Sequence, residues 1–493
     1  MKKKYINPVF IISVCIFFLV ALCGLLLPSS FSTALTRAFY FVTDRFSWLY
    51  ILSFSLFVGF CIWIAFFSKY RNLKLGATDE KPEYSNAEWL AMLFSAGTGI
   101  GIVFWSVAEP LTFFTDPLGA APFSAAAQEF TFGKVFFHWC IHPWANYAVS
   151  ALAIAYAQHR CGRPALSSSL LVPLYGEAGA RGVWGKVINM VALFSAAGGV
   201  CSTMGLGVMQ IDAGVNHLLH FKQTPSLTTL TMLILTVLFL TTCLAGVKRG
   251  SAIVSKINMI LIVFAMVFFF FAGPTVQILK NLTESIGVYA STIVRNSFAL
   301  GAYENADWYG KWTIYYCAWG LSWAPFTGAF IARISKGRTI RELVAGTLLF
   351  PSITGALWFS IFGTLGISLP RETILTAIGN KATALFVVFE QYPLGKVLSF
   401  MMLILVCTLF CTSASSATTA LGSYCEAGTP NPSRRTKLIW GILLAMLTLS
   451  FVLSSDNGVD MLKIVSVIVG FPFAIVQILS LVSLTKALGK EKV

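Results

Sequence analysis

Charged residues are scarce in this 493-residue chain. Asp, Glu, Lys and Arg together make up 11% of it, whereas soluble globular domains carry roughly 25%. No stretch has the mixed polar composition of a large soluble domain, which argues against a sensor with a soluble output domain. Hydrophobic residues make up 57% of the chain. This composition predicts an all-α integral membrane protein.

Cysteine spacings typical of a disulfide framework are also absent. The 11 cysteines lie mostly inside apolar segments, where cysteine behaves as a small core residue. A nucleophile and base arranged for catalysis are equally hard to find. The sequence therefore does not favour an enzyme.

Apolar runs long enough to cross a bilayer follow one another along the chain. They predict about twelve membrane-spanning helices. Most of the 35 Lys and Arg residues fall in alternate connections that include both termini, so we expect both termini in the cytoplasm. The net charge of +15 then faces anionic lipid of the cell inner (plasma) membrane rather than nucleic acid. The predicted spans lie near residues 8–28, 47–68, 88–109, 135–158, 187–215, 227–246, 252–273, 312–332, 342–367, 395–421, 437–455 and 461–485.

An aromatic stripe marks the eighth predicted span. Trp312, Tyr315, Tyr316, Trp319 and Trp323 are spaced by three, four and seven residues, which places them on one helix face. An interfacial aromatic belt or core packing would account for a single Trp. The whole stripe favours a binding site. Gly320 and Pro325 predict that the helix opens where the stripe ends, so Gly320 is a candidate site residue.

A glycine-interrupted segment lies within the third predicted span. Gly97, Gly99 and Gly101 alternate there, and each costs a helix roughly 1 kcal/mol relative to alanine. Close helix packing is one explanation. An unwound turn is another, with amides directed at an anionic group and carbonyls at a cation. The adjacent Ser95 and Thr98 favour the second explanation.

Interrupted helices at corresponding places in two halves are typical of inverted-repeat transporters. A connecting segment between the halves has the pattern of an amphipathic helix at the outer interface. The sequence thus predicts two peripheral helices and a cytoplasmic loop (1–87), a first five-helix repeat (88–273), the amphipathic connection (274–311), a second repeat (312–485) and a short cytoplasmic tail (486–493).

More aromatic residues open the fourth predicted span, where Trp139, Trp144 and Tyr147 are interleaved with His138 and His142. The two histidines have the spacing of metal ligands, but no third ligand accompanies them, so polar packing is the default. Aromatic walls without a nearby acid suit a cation that cannot donate a hydrogen bond, such as a quaternary ammonium group. Glu109 and Asp212 are acids within predicted spans, and the predicted span ends lie close to both.

The tenth predicted span ends in a cluster of hydroxyl residues. Most can bond to their own helix. Thr412 and Ser413, with the carbonyl of Leu409, could instead bind one small hard cation.

These motifs resemble the betaine/choline/carnitine transporter (BCCT) family over nearly the whole chain. The resemblance lies in GTGIGIVFWSVAEPL (97–111), HWCIHPWANY (138–147), WTIYYCAWGLSWAPFTGAFIARISKGR (312–338) and FCTSASSATT (410–419). It implies a leucine-transporter-type 5+5 inverted repeat in the last ten helices, a homotrimer, and transport of a quaternary ammonium compound. It also implies a substrate cage of Trp139, Trp144, Tyr147, Trp319 and Trp323. The implied sodium ligands are the Thr412 and Ser413 hydroxyls and the carbonyls of Ser95, Thr98 and Leu409.

The chain departs from the family pattern at several places. Cys317 to Gly320 reads Cys-Ala-Trp-Gly where the family often has Trp-Ala-Trp-Trp, which predicts a wider or rebuilt head-group pocket. Proton-coupled members of the family resemble this chain at the glycine motif but have an acid at the position of Gly101. Sodium-independent exchangers have an Arg at the position that resembles Met259 of this chain. Ala196 and Val200 replace threonines of a second sodium site. The resemblance thus implies one sodium ion as coupling ion and no other cofactor, with exchange or proton-coupled uptake as alternatives.

Overall fold

The computed structural model describes residues 8–97, 99–245, 250–455 and 457–491, with the backbone alone described at 250–252. Within these ranges the secondary structure is helical, and the only extended pairing is an isolated antiparallel bridge between Lys74 and Thr339. The predicted all-α class is therefore confirmed for this part of the chain. The helices are α1 (Pro8–Leu26), α2 (Pro28–Ile62), α3 (Asn86–Gly97), α4 (Ile100–Thr115), α5 (Ala125–Trp139), α6 (Ile141–Ala155), α7 (Ser167–Leu170), α8 (Val172–Arg181), α9 (Val183–Leu219), α10 (Pro225–Ala245), α11 (Gly250–Ala272), α12 (Thr275–Asn296), α13 (Ala306–Tyr309), α14 (Tyr315–Ile334), α15 (Ile340–Ile367), α16 (Arg371–Gly379), α17 (Ala384–Phe389), α18 (Gly395–Cys425), α19 (Arg434–Leu453) and α20 (Gly458–Leu488).

Nine helices of the described ranges are long and apolar enough to cross a bilayer, namely α1, α2, α9, α10, α11, α15, α18, α19 and α20. The bent pair of α3 and α4 makes a tenth if it counts as one span. The chain is a multi-pass membrane protein. The number of about twelve spans remains a prediction, because α6 and α14 are not among the helices that are long and apolar enough to cross a bilayer. The predicted fourth span is also divided at Cys140. The inverted repeat remains a prediction as well.

The glycine-rich break in the third predicted span is confirmed. Helix α3 ends at Gly97 and α4 begins at Ile100, with Gly99 in an extended conformation before it. The axes of the two helices differ by 60°. Among the described residues no side-chain hydrogen bond caps α4 at Gly99, and the first backbone N–H groups of a helix have no partner within the helix.

The predicted opening around Gly320 and Pro325 was wrong. Helix α14 runs through both residues without interruption. The side-chain amide of Asn146 donates to the Gly320 carbonyl at 2.9 Å, and such contacts from neighbouring helices allow breakers inside a membrane helix. The irregularity lies earlier in the chain, where Gly310–Ile314 forms a wider π-helical turn directly before α14.

Helix α14 occupies the interior of the helix bundle, packed against α6, α9 and α20. The peripheral α1 and α2 pack on α19 and α20. Helix α12 lies in the segment predicted to connect the two halves. It exposes Val276, Ile286 and Val294 and buries Ile278 and Ser285. Its location at the outer interface stays a prediction.

Candidate functional site

A cavity of about 330 Å³ lies beside α14 and extends to α3, α4, α6, α15 and α18. Its size falls in the range of small-molecule sites, roughly 300–1,000 Å³. Within the described part of the chain, no Asp, Glu, Lys or Arg lines it. The aromatic residues that line it are His138, Trp139, Trp144, Tyr147, Tyr316, Trp319, Trp323, Phe326, Trp358, Phe94 and Phe330.

The indoles predicted from the sequence meet at this cavity. The rings of Trp139 and Trp319 stand perpendicular, at 88° with centroids 5.8 Å apart. Trp144 and Tyr147 make a second near-perpendicular pair, with centroids 5.4 Å apart. Rings set at right angles form a corner in which one cation can face two π-systems. The fold therefore brings five predicted cage residues together, since Trp323 lines the same cavity.

A threonine on α9 holds the orientation of two of these indoles. Trp319 Nε1 donates to Thr203 Oγ1 at 3.2 Å, and Trp323 Nε1 donates to the same oxygen at 3.1 Å. Trp323 Nε1 also lies 3.2 Å from the Gly199 carbonyl oxygen. Sequence reasoning missed Thr203, because a hydroxyl among small residues of a membrane helix gives no distinctive pattern.

A carboxylate lies behind the cavity wall. Glu109 is fully buried near the middle of α4 rather than close to the end of a span. Its Oε2 accepts hydrogen bonds from Trp139 Nε1 at 2.7 Å and from the Tyr316 hydroxyl at 2.6 Å. Its Oε1 lies 2.7 Å from His138 Nδ1. Glu109 therefore fixes three residues of the cavity wall, Trp139, Tyr316 and His138, and does not itself face the cavity.

The histidines are engaged in packing contacts. His138 Nε2 lies 3.0 Å from Thr313 Oγ1, and His142 Nε2 lies 2.8 Å from Ser297 Oγ. Among the described residues no group of three or more His, Cys, Asp and Glu side chains has a metal-binding arrangement. Polar packing, the default expectation for these histidines, agrees with these contacts.

The glycines of the broken segment allow the aromatic rings to approach the backbone. An added Cβ at Gly97 would lie 2.8 Å from the Trp144 ring, and one at Gly101 would overlap the Trp319 ring. At Gly99 an added Cβ would meet open space, so this glycine is not required by ring packing. Gly320 also borders the cavity, but its Cβ direction points at Phe54 of α2, 3.4 Å away.

Four of the predicted cation ligands line the same cavity. Ser95 comes from α3, and Leu409, Thr412 and Ser413 come from α18. Thr98 lies outside the described residues. The Thr412 hydroxyl is placed to donate to the carbonyls of Thr408 at 3.0 Å and Leu409 at 3.1 Å. These residues of α3 and α18 thus line the cavity that the break between α3 and α4 also borders.

Trp312 does not line the cavity. It packs against Trp105 and Phe113 instead, with ring centroids 5.5 Å and 4.7 Å away. The predicted stripe assumed a regular α-helix from Trp312 onward. The wider turn at Gly310–Ile314 changes the rotation of its residues relative to α14, which separates Trp312 from the cavity-facing side.

Comparison with known proteins agrees with the motifs. A sequence model of the family described as "BCCT, betaine/carnitine/choline family transporter" matches residues 8–493. The glycine betaine transporter OpuD of Bacillus subtilis is 41% identical over 99% of this chain and 96% of the relative. A probable glycine betaine transporter of Desulfitobacterium hafniense is 37% identical, and an ectoine/hydroxyectoine transporter of Virgibacillus pantothenticus is 36% identical, each over 99% of this chain and 98% of the relative. The chain belongs to the betaine/carnitine/choline transporter family.

Proposed function

We propose that the protein is a secondary active transporter of a quaternary ammonium compound and is not an enzyme. One observation supports this most strongly: Trp139, Trp319 and Trp323 converge on a single cavity in the interior of the helix bundle. The bound group is a trimethylammonium head, which has no N–H to donate and is attracted by π-faces. Each such contact contributes about 0.5–2 kcal/mol, with the larger values at desolvated sites.

The polar end of the substrate is an anion in this proposal. The uncapped first turn of α4 borders the cavity at Gly99 to Ile102. Backbone N–H groups and the helix dipole favour a carboxylate at such a terminus. A compact zwitterion of the glycine betaine type therefore fits better than choline, whose hydroxyl carries no charge. Carnitine also has a carboxylate, at the end of a longer chain.

Uptake is driven by sodium in this proposal. The oxygens of Ser95, Leu409, Thr412 and Ser413 supply ligands of the kind that hard cations prefer. Residues 88–273 and 312–485 are the two repeats of a leucine-transporter-type fold, and one bundle rocks against the other around the cavity. The functional unit is a homotrimer in the plasma membrane, with both termini and the contacts to anionic lipid on the cytoplasmic side.

Reconstituted protein tests this function directly. Proteoliposomes are loaded with potassium buffer and diluted into sodium buffer at equal pH, with radiolabelled glycine betaine, choline, carnitine, ectoine or proline outside. We expect accumulation of glycine betaine above its external concentration when the sodium gradient is inward. Accumulation that requires preloaded substrate would indicate an exchanger, and accumulation that requires a proton gradient would indicate proton coupling. The absence of transport and binding for the whole panel would contradict the proposed function.

We expect Glu109→Ala to reduce glycine betaine affinity at least tenfold, although the Glu109 side chain does not contact the substrate. The substitution leaves Trp139 Nε1, the Tyr316 hydroxyl and His138 without their acceptor, and each buried unpaired group costs about 1–3 kcal/mol. The cost appears as a lower unfolding temperature and as a reoriented Trp139 ring. Binding by isothermal titration calorimetry and unfolding by differential scanning fluorimetry measure the two effects.

The matched control for this prediction is Glu129→Ala, because Glu129 is exposed on α5. Glu109→Gln retains an acceptor oxygen, so its glycine betaine affinity and its unfolding temperature should lie between those of Glu109→Ala and the parent. Parent-like affinity in a folded Glu109→Ala protein would show that the network does not hold the cavity wall.

A further inference from the structure

A second group of aromatic rings lies next to the cavity and encloses a lysine. Trp105 of α4, Trp312 of the π-helical turn and Tyr315 of α14 surround Lys463 of α20. We call these four residues the lysine box. All four side chains are buried, with 5% of Lys463 and 7% of Trp312 exposed.

The ammonium group of Lys463 is within cation–π range of all three rings. Its Nζ lies 3.4 Å from the ring centre of Trp312, 5.3 Å from that of Tyr315 and 5.4 Å from that of Trp105. Significant cation–π contacts extend to about 6 Å. The lysine box therefore has the composition of an aromatic cage, and its occupant is a primary ammonium from the same chain.

Two carboxylates, Asp460 and Glu109, attract this ammonium only from a distance. Within the described ranges Lys463 has no ion pair. Asp460, one turn earlier on α20, accepts a hydrogen bond from Asn457 at 2.6 Å. The nearby Lys381, with its Nζ 5.7 Å from the Trp312 ring, adds a like charge. Because a buried charge is costly and Met would fill similar space without that cost, shape alone does not account for a lysine here.

The lysine box adjoins one end of the cavity. The Tyr315 ring stacks on Trp319 at 9° with centroids 5.8 Å apart, and Trp319 lines the cavity. From there the cavity extends along α14 to Phe326 and Phe330, towards the end of the helix that precedes the basic residues of the predicted cytoplasmic side. The box therefore blocks the opposite end, which we expect to face outward.

We propose that the lysine box is an ammonium-binding site filled by the chain's own Lys463, and that this contact closes the outer end of the cavity. The cation–π contacts tie α20 to α4 and to the start of α14. Opening an outward path requires Lys463 to leave the rings. This closure goes beyond transport itself, because it determines from which side of the membrane the cavity can be reached.

The test measures access to the cavity without any substrate, so its result does not depend on the proposed function. Thr354 of α15 lines the cavity, and Thr354→Cys provides a reporter. Right-side-out and inside-out vesicles are treated with a membrane-impermeant maleimide, and peptide mass spectrometry follows labelling at position 354 separately from the native cysteines. We compare the parent reporter with Lys463→Met, which keeps length and loses charge, and with Lys463→Arg, which keeps a cation able to stack on the rings.

Lys463→Met should raise the labelling rate from the outer side about tenfold, the factor that 1.4 kcal/mol supplies, while Lys463→Arg stays within about twofold of the parent. An unchanged outer rate in folded Lys463→Met would overturn the proposal, and so would an equal rise in both variants, since space rather than charge would then be responsible. If Lys463→Met does not fold, Trp312→Leu keeps the ammonium and removes its nearest ring. The same tenfold rise is expected there, and a parent-like rate would again overturn the proposal.

Discussion

Replacement of Trp323 by alanine is expected to weaken glycine betaine binding by about thirtyfold and to reduce uptake at low substrate concentration correspondingly. The indole is half-buried at the cavity, and its Nε1 is fixed by Thr203 and Gly199, so its π-face is already oriented before the substrate arrives. A cation–π contact at a desolvated site is worth about 2 kcal/mol, and every 1.4 kcal/mol corresponds to tenfold in affinity. Titration calorimetry on purified protein measures the loss.

Two further substitutions distinguish binding from packing. Trp323→Phe keeps a π-face and should recover much of the affinity that Trp323→Ala loses. Trp184→Ala removes an indole that is 73% exposed at the start of α9, and it should leave affinity unchanged. A folded Trp323→Ala protein with parent affinity would mean that this ring only packs against its neighbours.

The combined change Thr412→Ala and Ser413→Ala is expected to abolish most sodium-driven uptake. Both hydroxyls lie on the cavity wall next to Leu409, and their loss removes two of about five oxygen ligands that the site would offer. The sodium concentration for half-maximal uptake should rise at least tenfold. Glycine betaine affinity at saturating sodium should fall less, because the aromatic cage is intact. Uptake into proteoliposomes over a sodium series measures both quantities.

The matched control removes two hydroxyls from the same helix at positions away from the cavity. Ser415 and Thr418 are buried and do not line it, so Ser415→Ala with Thr418→Ala should leave the sodium dependence close to that of the parent. Persistent sodium-driven uptake in the Thr412 and Ser413 double variant would remove these hydroxyls from the coupling mechanism. The family membership would not be affected.

Local periodicity was enough to predict much of the aromatic lining of the cavity. Trp319 and Trp323 are one turn apart on the same helix, and Trp144 and Tyr147 have the same relation, so helix geometry alone places each pair together. The alternate glycines were equally informative, because their cost to a helix requires an explanation that the close ring contacts at Gly97 and Gly101 supply.

Contacts between distant helices could not be predicted in this way. Glu109 reaches Tyr316, 207 positions away, and Thr203 reaches Trp323, 120 positions away. Periodicity along one helix does not predict contacts between residues so far apart in the sequence. Proline and glycine also gave a false signal in α14, because the Asn146 side chain and the packing of neighbouring helices compensate for both.

In the proposed function, aromatic faces of the cavity recognise the positive charge of a trimethylammonium group. The most direct measurement compares glycine betaine with 3,3-dimethylbutanoate, in which an uncharged tert-butyl group of nearly the same shape replaces the ammonium head. Titration calorimetry of both ligands into the same purified protein in sodium buffer gives the contribution of charge alone. We expect at least tenfold weaker binding of the uncharged ligand, and equal affinity for the two ligands would contradict recognition of the charge.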